Sequence, residues 1–342
     1  MSEQTKRIEA AKLAVSRASV VCREVQARLA DVQSLLKDDR SPVTVADFAS
    51  QAVVAWTLKD LLGSCPMVGE EDAHELREQI AAGNTSVADQ VLDAASCVWD
   101  GATMDAVLDA IDLGNADSQQ HKHGFWTLDP IDGTKGFLRN QQYAVALGWI
   151  EHGDPVLGVL GCPNLSRDQS FPLDEKDPNG SMYVAIAGEG CWEYPADEPG
   201  AEPAHIRRLE RSDGEPVRMC ESAESGHTSH DDAERILERL GEAAEPARLD
   251  SQAKYAVVAR GQGDLYLRLP RPGKPYVERI WDHAAGSIVA REAGCAVTDI
   301  AGLELDFSHG AGLEKNRGIV VGDVKLHGLA MGAINELQIG QA

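Results

Sequence analysis

The sequence predicts a layered α+β / α/β protein in two parts, and three observations carry that expectation. Early segments read as helices with apolar stripes, the middle reads as two β-hairpins, and the last third alternates strand and helix. In chain order, Val21, Val25, Leu29, Val32 and Leu36 recur every three or four residues, as on an amphipathic helix packed against a core. Residues 46–62 place Phe48, Val53, Val54, Leu58, Leu61 and Leu62 on a second, broader stripe. Residues 142–150 and 155–162 are β-rich around the turn-like His152-Gly153-Asp154, and 182–194 reads as a second hairpin.

Residues 171–181 and 195–204 are rich in Pro, Gly and acids and read as loops. The second is the expected boundary between an N-terminal part, 1–204, and a C-terminal part, 205–342. Beyond it the pattern predicts a strand near 217–221, helices at 230–241 and 252–260, a strand at 264–269, a helix at 282–293, and strands at 295–299 and 317–321.

The chain has 342 residues, 43% of them hydrophobic, which is ample for one large or two fused cores. No apolar run approaches the roughly 18 residues of a membrane span. A formal charge of −23, with 55 acids against 32 basic residues, repels nucleic-acid polymers and anionic membranes. Residues 1–36 lack an apolar h-region and carry Glu3, Glu9, Glu24 and Asp31, unlike a signal or transit peptide. A cytoplasmic protein is expected, or an organellar one where a leader has been removed. Seven cysteines at wide spacings, with no Cys-x-x-Cys, argue against a zinc site or a disulfide scaffold and for reduced, mostly buried thiols.

The strongest local feature is the run Trp126 to Phe137, in which an apolar strand ends in Asp129-Pro130-Ile131-Asp132-Gly133-Thr134. Pro130 stiffens the backbone between two carboxylates, and Gly133 permits a tight turn. Asp129, Asp132 and the Ile131 carbonyl can then converge on a hard cation such as Mg²⁺, which takes oxygen ligands. Free N–H groups after Gly133 and at Thr134 can hold a phosphate. Alone, Asp-x-x-Asp is an ordinary turn. Glu70-Glu71 follows an apolar strand start and alone is a charged loop. Asp282 stands where an apolar helix begins and alone is a helix cap, as Asp47 is for the helix at 47–62.

Together, Gly69-Glu70-Glu71, Asp129 to Thr134 and Trp281-Asp282-x-x-Ala285-Gly286 make the sequence resemble the lithium-sensitive phosphatase superfamily of inositol monophosphatase and fructose-1,6-bisphosphatase. The resemblance implies an αβαβα sandwich, two or three Mg²⁺ ions, and metal binding by Glu70, Asp129, Ile131, Asp132 and Asp282. It further implies that Asp47 accepts a proton from Thr134, which orients the attacking water, and that Glu71 supports the ligands from behind. Lithium inhibition follows from the same likeness.

Within the superfamily the chain resembles the 3′(2′),5′-bisphosphate nucleotidases, in their plant-like eukaryotic branch. The likeness rests on Lys135-Gly136-Phe137-Leu138-Arg139, Ser41 to Asp47, Gly161 to Leu165, Leu249 to Tyr255 and Tyr266 to Arg268. Residues 84–124 and 171–205 match poorly and are expected as variable loops. A small bisphosphorylated nucleotide is the implied substrate, held by Gly133, Thr134, Ser229, His230, Ser251, Lys254 and Arg268. Cap and surface roles are the alternatives for Ser251, Lys254 and Arg268. The competing functions are an inositol polyphosphate 1-phosphatase and, from another class, a non-catalytic nucleotide sensor. All the implied acids and Thr134 are present, which argues against a sensor.

Overall fold

The computed structural model describes residues 2–32, 41–64, 66–121, 123–208, 211, 214–221, 230–241, 243–271 and 276–340. Two long helices, α1 (Glu3–Val32) and α2 (Ser41–Leu62), open the chain and pack on each other. They are followed by β1 (Met67–Gly69), α3 (His74–Ala81), α4 (Ser86–Ser96) and α5 (Met104–Ile111). The expected loop at 84–124 thus contains two helices. Val91, Ala94 and Ala95, like Val107, Leu108 and Ile111, stand at helical spacing and are buried, and both helices pack on α2. Thr103 caps α5 by accepting the Ala106 N–H at 3.3 Å. A stretch unlike the family pattern is not thereby a loop; apolar spacing decides, and here it is helical.

Next come β2 (Phe125–Asp132), α6 (Thr134–Leu138), β3 (Ala144–Glu151), β4 (Asp154–Cys162), β5 (Ser181–Ile186), β6 (Gly190–Pro195) and β7 (Ala204–Ile206). Strands β1 to β7 form one sheet in sequence order, with β1 parallel to β2 and the rest antiparallel. The stretch 195–204 turns the chain back so that β7 completes this sheet.

The remainder contains β8 (Val217–Glu221), α7 (His230–Leu240), β9 (Ala244–Arg248), α8 (Ala253–Ala259), β10 (Leu265–Arg268), α9 (Ala284–Glu292), β11 (Ala296–Thr298), β12 (Ile319–Gly322) and α10 (Val324–Glu336). Its five strands are ordered β11-β12-β10-β8-β9.

Helices α1 and α2 cover one face of the first sheet, α8 and α9 lie between the sheets, and α7 and α10 cover the far side of the second. This is the expected αβαβα sandwich. Sheets covered on both faces explain the nearly continuous apolar strands. Trp126, Leu128, Val145, Leu147 and Val159 join the core with α1 and α2, while Phe125, Ala144, Ala146 and Leu160 join the core with α8 and α9. Among the described residues no helix is long and apolar enough to cross a membrane. Of the described cysteines, all are free and only Cys97 is exposed.

Candidate active site

The site begins where β1 and β2 end side by side. Their parallel pairing continues past β1 through the Glu70 N–H, which donates to the Leu128 carbonyl at 3.2 Å, so Glu70 emerges beside Asp129. The β2–β3 register then slips: Asp129 faces Ala146 and Asp132 faces Ala144, leaving one extra residue on β2. Pro130, with no N–H to donate, sits in this bulge, and a bulge re-aims the side chains that follow it. Gly133 adopts φ +88° and starts α6. A Cβ at Gly133 would lie 2.7 Å from the Ser251 Cβ, so glycine is required both for the turn and for the approach of the Ser251 loop.

Helix α2 braces this corner from behind. Ser50 Oγ donates to the Pro130 carbonyl at 3.0 Å, holding the bulge. Gln51 clasps Glu71 by its main chain, accepting its N–H at 3.1 Å and donating to its carbonyl. Neither residue was anticipated from the sequence. The available signal was a pair of polar residues interrupting the apolar face of α2, both fully buried in the fold.

Glu70, Asp129, Ile131, Asp132, Gly133, Thr134, Ser251, Lys254, Arg268 and Asp282 line one cleft of about 640 Å³. Asp47 and Glu71 are not in its wall. Asp47 lies inside α2, not at its start, and so is no helix cap. Asp282 is likewise no cap, because α9 begins at Ala284 with His283 at the cap position. No hydrogen bond joins Asp47 to Thr134 among the described residues. Ser229 lies outside the described residues, as does the side chain of His230, whose backbone opens α7.

The acids of this corner repel one another. Burial, then the charges of Glu70 and Asp132, hold the Asp129 carboxyl well above the usual range. Glu70 is open to solvent on its outer side, yet lost hydration and then Asp282 and Glu71 push it up to about 7. Burial drives Asp282 up to about 6. Asp47, also buried, is raised well above the ordinary value by desolvation and then by Glu71 and Glu70. Asp132 has one partner in the loop before α8, the Gln252 N–H at 2.7 Å. Asp129 Oδ1 is buried with no hydrogen-bond partner among the described residues. Of these carboxylates only Asp282 has a cationic side chain within 4 Å among the described residues, and an all-oxygen donor set suits a hard divalent cation.

The opposite wall is cationic. Lys254 is buried, its ammonium 5.3 Å from the Tyr266 ring centre and 3.5 Å from the Leu249 carbonyl, and desolvation lowers its pKa. Arg268, on β10, pairs with Glu278 at 2.8 Å and stands 3.5 Å from Asp282. Ser251 is held at φ +75°, a conformation rare for a residue with a side chain, and its Oγ accepts the Ala253 N–H at 3.1 Å. Arg139, at the end of α6, pairs with Asp250 and ties the Asp129–Thr134 turn to the Ser251 loop. A cleft with crowded acids on one wall and buried cations on the other is suited to a divalent metal and an anionic ligand together.

Comparison with known proteins gives the family and the fold. The pattern of the inositol monophosphatase family matches residues 3–338. A 3′(2′),5′-bisphosphate nucleotidase of Schizosaccharomyces pombe is 40% identical over 320 residues, 90% of this chain and 88% of that protein. The Arabidopsis thaliana 3′(2′),5′-bisphosphate nucleotidase 1 is 42% identical over 346 residues, 97% of this chain and 96% of its own. Among solved structures, Mycobacterium tuberculosis SuhB superposes with a TM-score of 0.60 at 17% identity, covering 98% of both chains. An inositol monophosphatase from Anabaena does so with a TM-score of 0.59 at 19% identity, covering 99% of this chain and 98% of its own. With that family's pattern matched over residues 3–338, this chain belongs to the inositol monophosphatase family.

Proposed function

We propose that the chain is a magnesium-dependent 3′(2′),5′-bisphosphate nucleotidase that converts 3′-phosphoadenosine 5′-phosphate to AMP and phosphate, with the 5′-phosphosulfate as a second substrate. The observation that carries this reading is the pairing of a crowded acid wall, with one buried oxygen unpartnered among the described residues, and the cations of buried Lys254 and half-buried Arg268 in one cleft. The relatives' name supplies the substrate class.

Glu70, Asp129, the Ile131 carbonyl, Asp132 and Asp282 would hold two or three Mg²⁺ ions. Bound there, Mg²⁺ supplies charge neutralisation at the phosphoryl and leaving oxygens and makes water acidic enough to attack. Thr134, at the start of α6, orients the attacking water. Asp47 would accept the proton passed through the Thr134 hydroxyl, with which it makes no hydrogen bond among the described residues. Gln51 and Ser50 keep the two acidic turns in register. Gly133, Ser251, Lys254 and Arg268 would bind phosphate oxygens, Arg268 as a planar fork, and recognition of the nucleoside end is assigned to Ser229 and His230.

Purified protein with Mg²⁺ is expected to release phosphate from 3′-phosphoadenosine 5′-phosphate faster than from inositol 1,4-bisphosphate, and millimolar Li⁺ is expected to inhibit it. Faster turnover of the inositol compound would reassign the substrate; no turnover of either would refute the enzyme reading.

A further inference from the structure

Arg268 stands between two carboxylates that have different work to do. Its Nη2 lies 2.8 Å from Glu278 Oε2 and 3.5 Å from Asp282 Oδ2. Asp282 lines the cleft and is one of the acids suited to a cation; Glu278 is not part of the cleft wall. Glu278 is 8% exposed, and its backbone carbonyl accepts the Leu313 N–H at 2.8 Å, so it has little freedom to move.

A second support reaches the same Glu278 oxygen. His283 is fully buried, with Nε2 3.2 Å from Glu278 Oε2 and Nδ1 2.8 Å from the Tyr255 hydroxyl. An ionised carboxylate only accepts hydrogen bonds, so Nε2 carries the proton donated to Glu278. For a neutral imidazole, Nδ1 is then the acceptor and the Tyr255 O–H the donor. Gly286 leaves room for this tyrosine, since a Cβ there would collide with its ring. The order of support is Tyr255 to His283 to Glu278 to Arg268. Glu278, Asp282 and His283 are close enough to suggest a metal site of their own, but the facing Glu278 oxygen already accepts from both Arg268 and His283.

The remaining face of Arg268 borders the cleft, and its Nε is buried with no partner among the described residues. We propose that Glu278, braced by His283 and Tyr255, is a positioning residue that shares the Arg268 guanidinium with Asp282, holding it turned to the substrate phosphate and at the far limit of its pair with Asp282. Without it, Arg268 would close on Asp282 from its present 3.5 Å and pair with it alone, withdrawing one cation from the substrate and one carboxylate from the metal. The substrate half of this inference rests on the function proposed above; the metal half does not.

The full chain with Glu278→Gln, which keeps the shape and removes the charge, separates this from simple electrostatics. Removing a negative charge beside an anion site should by itself tighten substrate binding. The positioning role reverses the sign: at saturating Mg²⁺, KM for 3′-phosphoadenosine 5′-phosphate rises about tenfold, one 1.4 kcal/mol step, while kcat changes less than about twofold. Calorimetric titration with Mg²⁺ alone shows binding weakened severalfold in E278Q and restored in the E278Q/R268A double variant. Glu278→Asp, with the charge drawn back by one methylene, gives the same changes at smaller size and serves if the glutamine variant does not fold. An unchanged or lower KM, or unchanged Mg²⁺ binding, overturns the proposal. If the wild-type chain does not turn over the nucleotide, the proposed function fails, while the Mg²⁺ titration still decides the positioning role.

Discussion

Two buried aspartates show how the same side chain is used in opposite ways. Asp264 is fully buried in the second sheet. It receives Arg208 at 2.8 Å, the Arg218 side chain at 2.8 Å and the Arg218 N–H at 2.9 Å. Burial pushes its pKa up, but these donors outweigh burial and leave it below the ordinary value. Asp129 is only 3% exposed, has other acids for neighbours, and keeps one oxygen unpartnered among the described residues. The first cluster is closed within the protein and stabilises the join between β8, β10 and the segment at Arg208. The second keeps a buried oxygen with no partner among the described residues, which suits it to a cation. A buried charge with all its partners is architecture; one missing a counter-charge is a binding site.

The largest effects should separate the two clusters. Asp129→Asn should cut activity about a thousandfold, near 4 kcal/mol at the reacting centre, while raising the stability of the metal-free protein. Asp264→Asn should cost about 3–5 kcal/mol of stability, because the buried Arg208 loses its counter-charge, with a smaller loss at half-exposed Arg218. Equal stability loss in both variants, read by denaturant unfolding, would break the comparison.

Metal and pH come next. In the metal-free protein Glu70 and Asp282 hold protons up to about pH 7 and 6, whereas unfolded carboxyls release theirs near pH 4. The folded state therefore binds more protons across that window, and these two groups lower stability as pH rises from about 4 to 7, with no further change above. Asp264 acts with the opposite sign: its contribution is present above about pH 4 and is lost as pH falls through its depressed pKa. Mg²⁺ at a hundred times its Kd should restore about 2.7 kcal/mol, most usefully above pH 7, where the acids are ionised. Melting curves with EDTA and with Mg²⁺ across this range test it; a metal-free protein that gains stability between pH 5 and 7 would contradict it.

Gly133→Ala should cost about 1–3 kcal/mol, since alanine at φ +88° is strained and its Cβ meets Ser251. The smallest effect is expected at Arg77, which pairs with Asp109 and Asp112 at 2.9 and 3.0 Å but is 42% exposed. Arg77→Ala should stay within about 1 kcal/mol, and a larger loss would show that exposed pairs matter more here than the buried clusters suggest.

The run from Asp129 to Thr134 was legible as chemistry because two acids around a proline, followed by glycine, already constrain the backbone locally. The hairpins and the alternation after residue 205 were legible because apolar periodicity follows burial. Helices α4 and α5 carry the same apolar signal in a stretch unlike the family pattern, and unlikeness to a family says nothing about burial. Asp282 lines the cleft and Asp47 lies near Glu70 and Glu71, and neither caps a helix: α2 starts six residues before Asp47 and α9 two residues after Asp282.

By itself, then, the sequence determined the layered class, the acidic turns and the family. Only the tertiary structure decided which acids share a cleft, that Ser50 and Gln51 brace them, and that Glu278 and His283 stand behind Arg268. The reason is physical. Local pattern reports which residues face a core, whereas a charge's role depends on which counter-charges the fold brings within a few ångströms, and those come from distant parts of the chain.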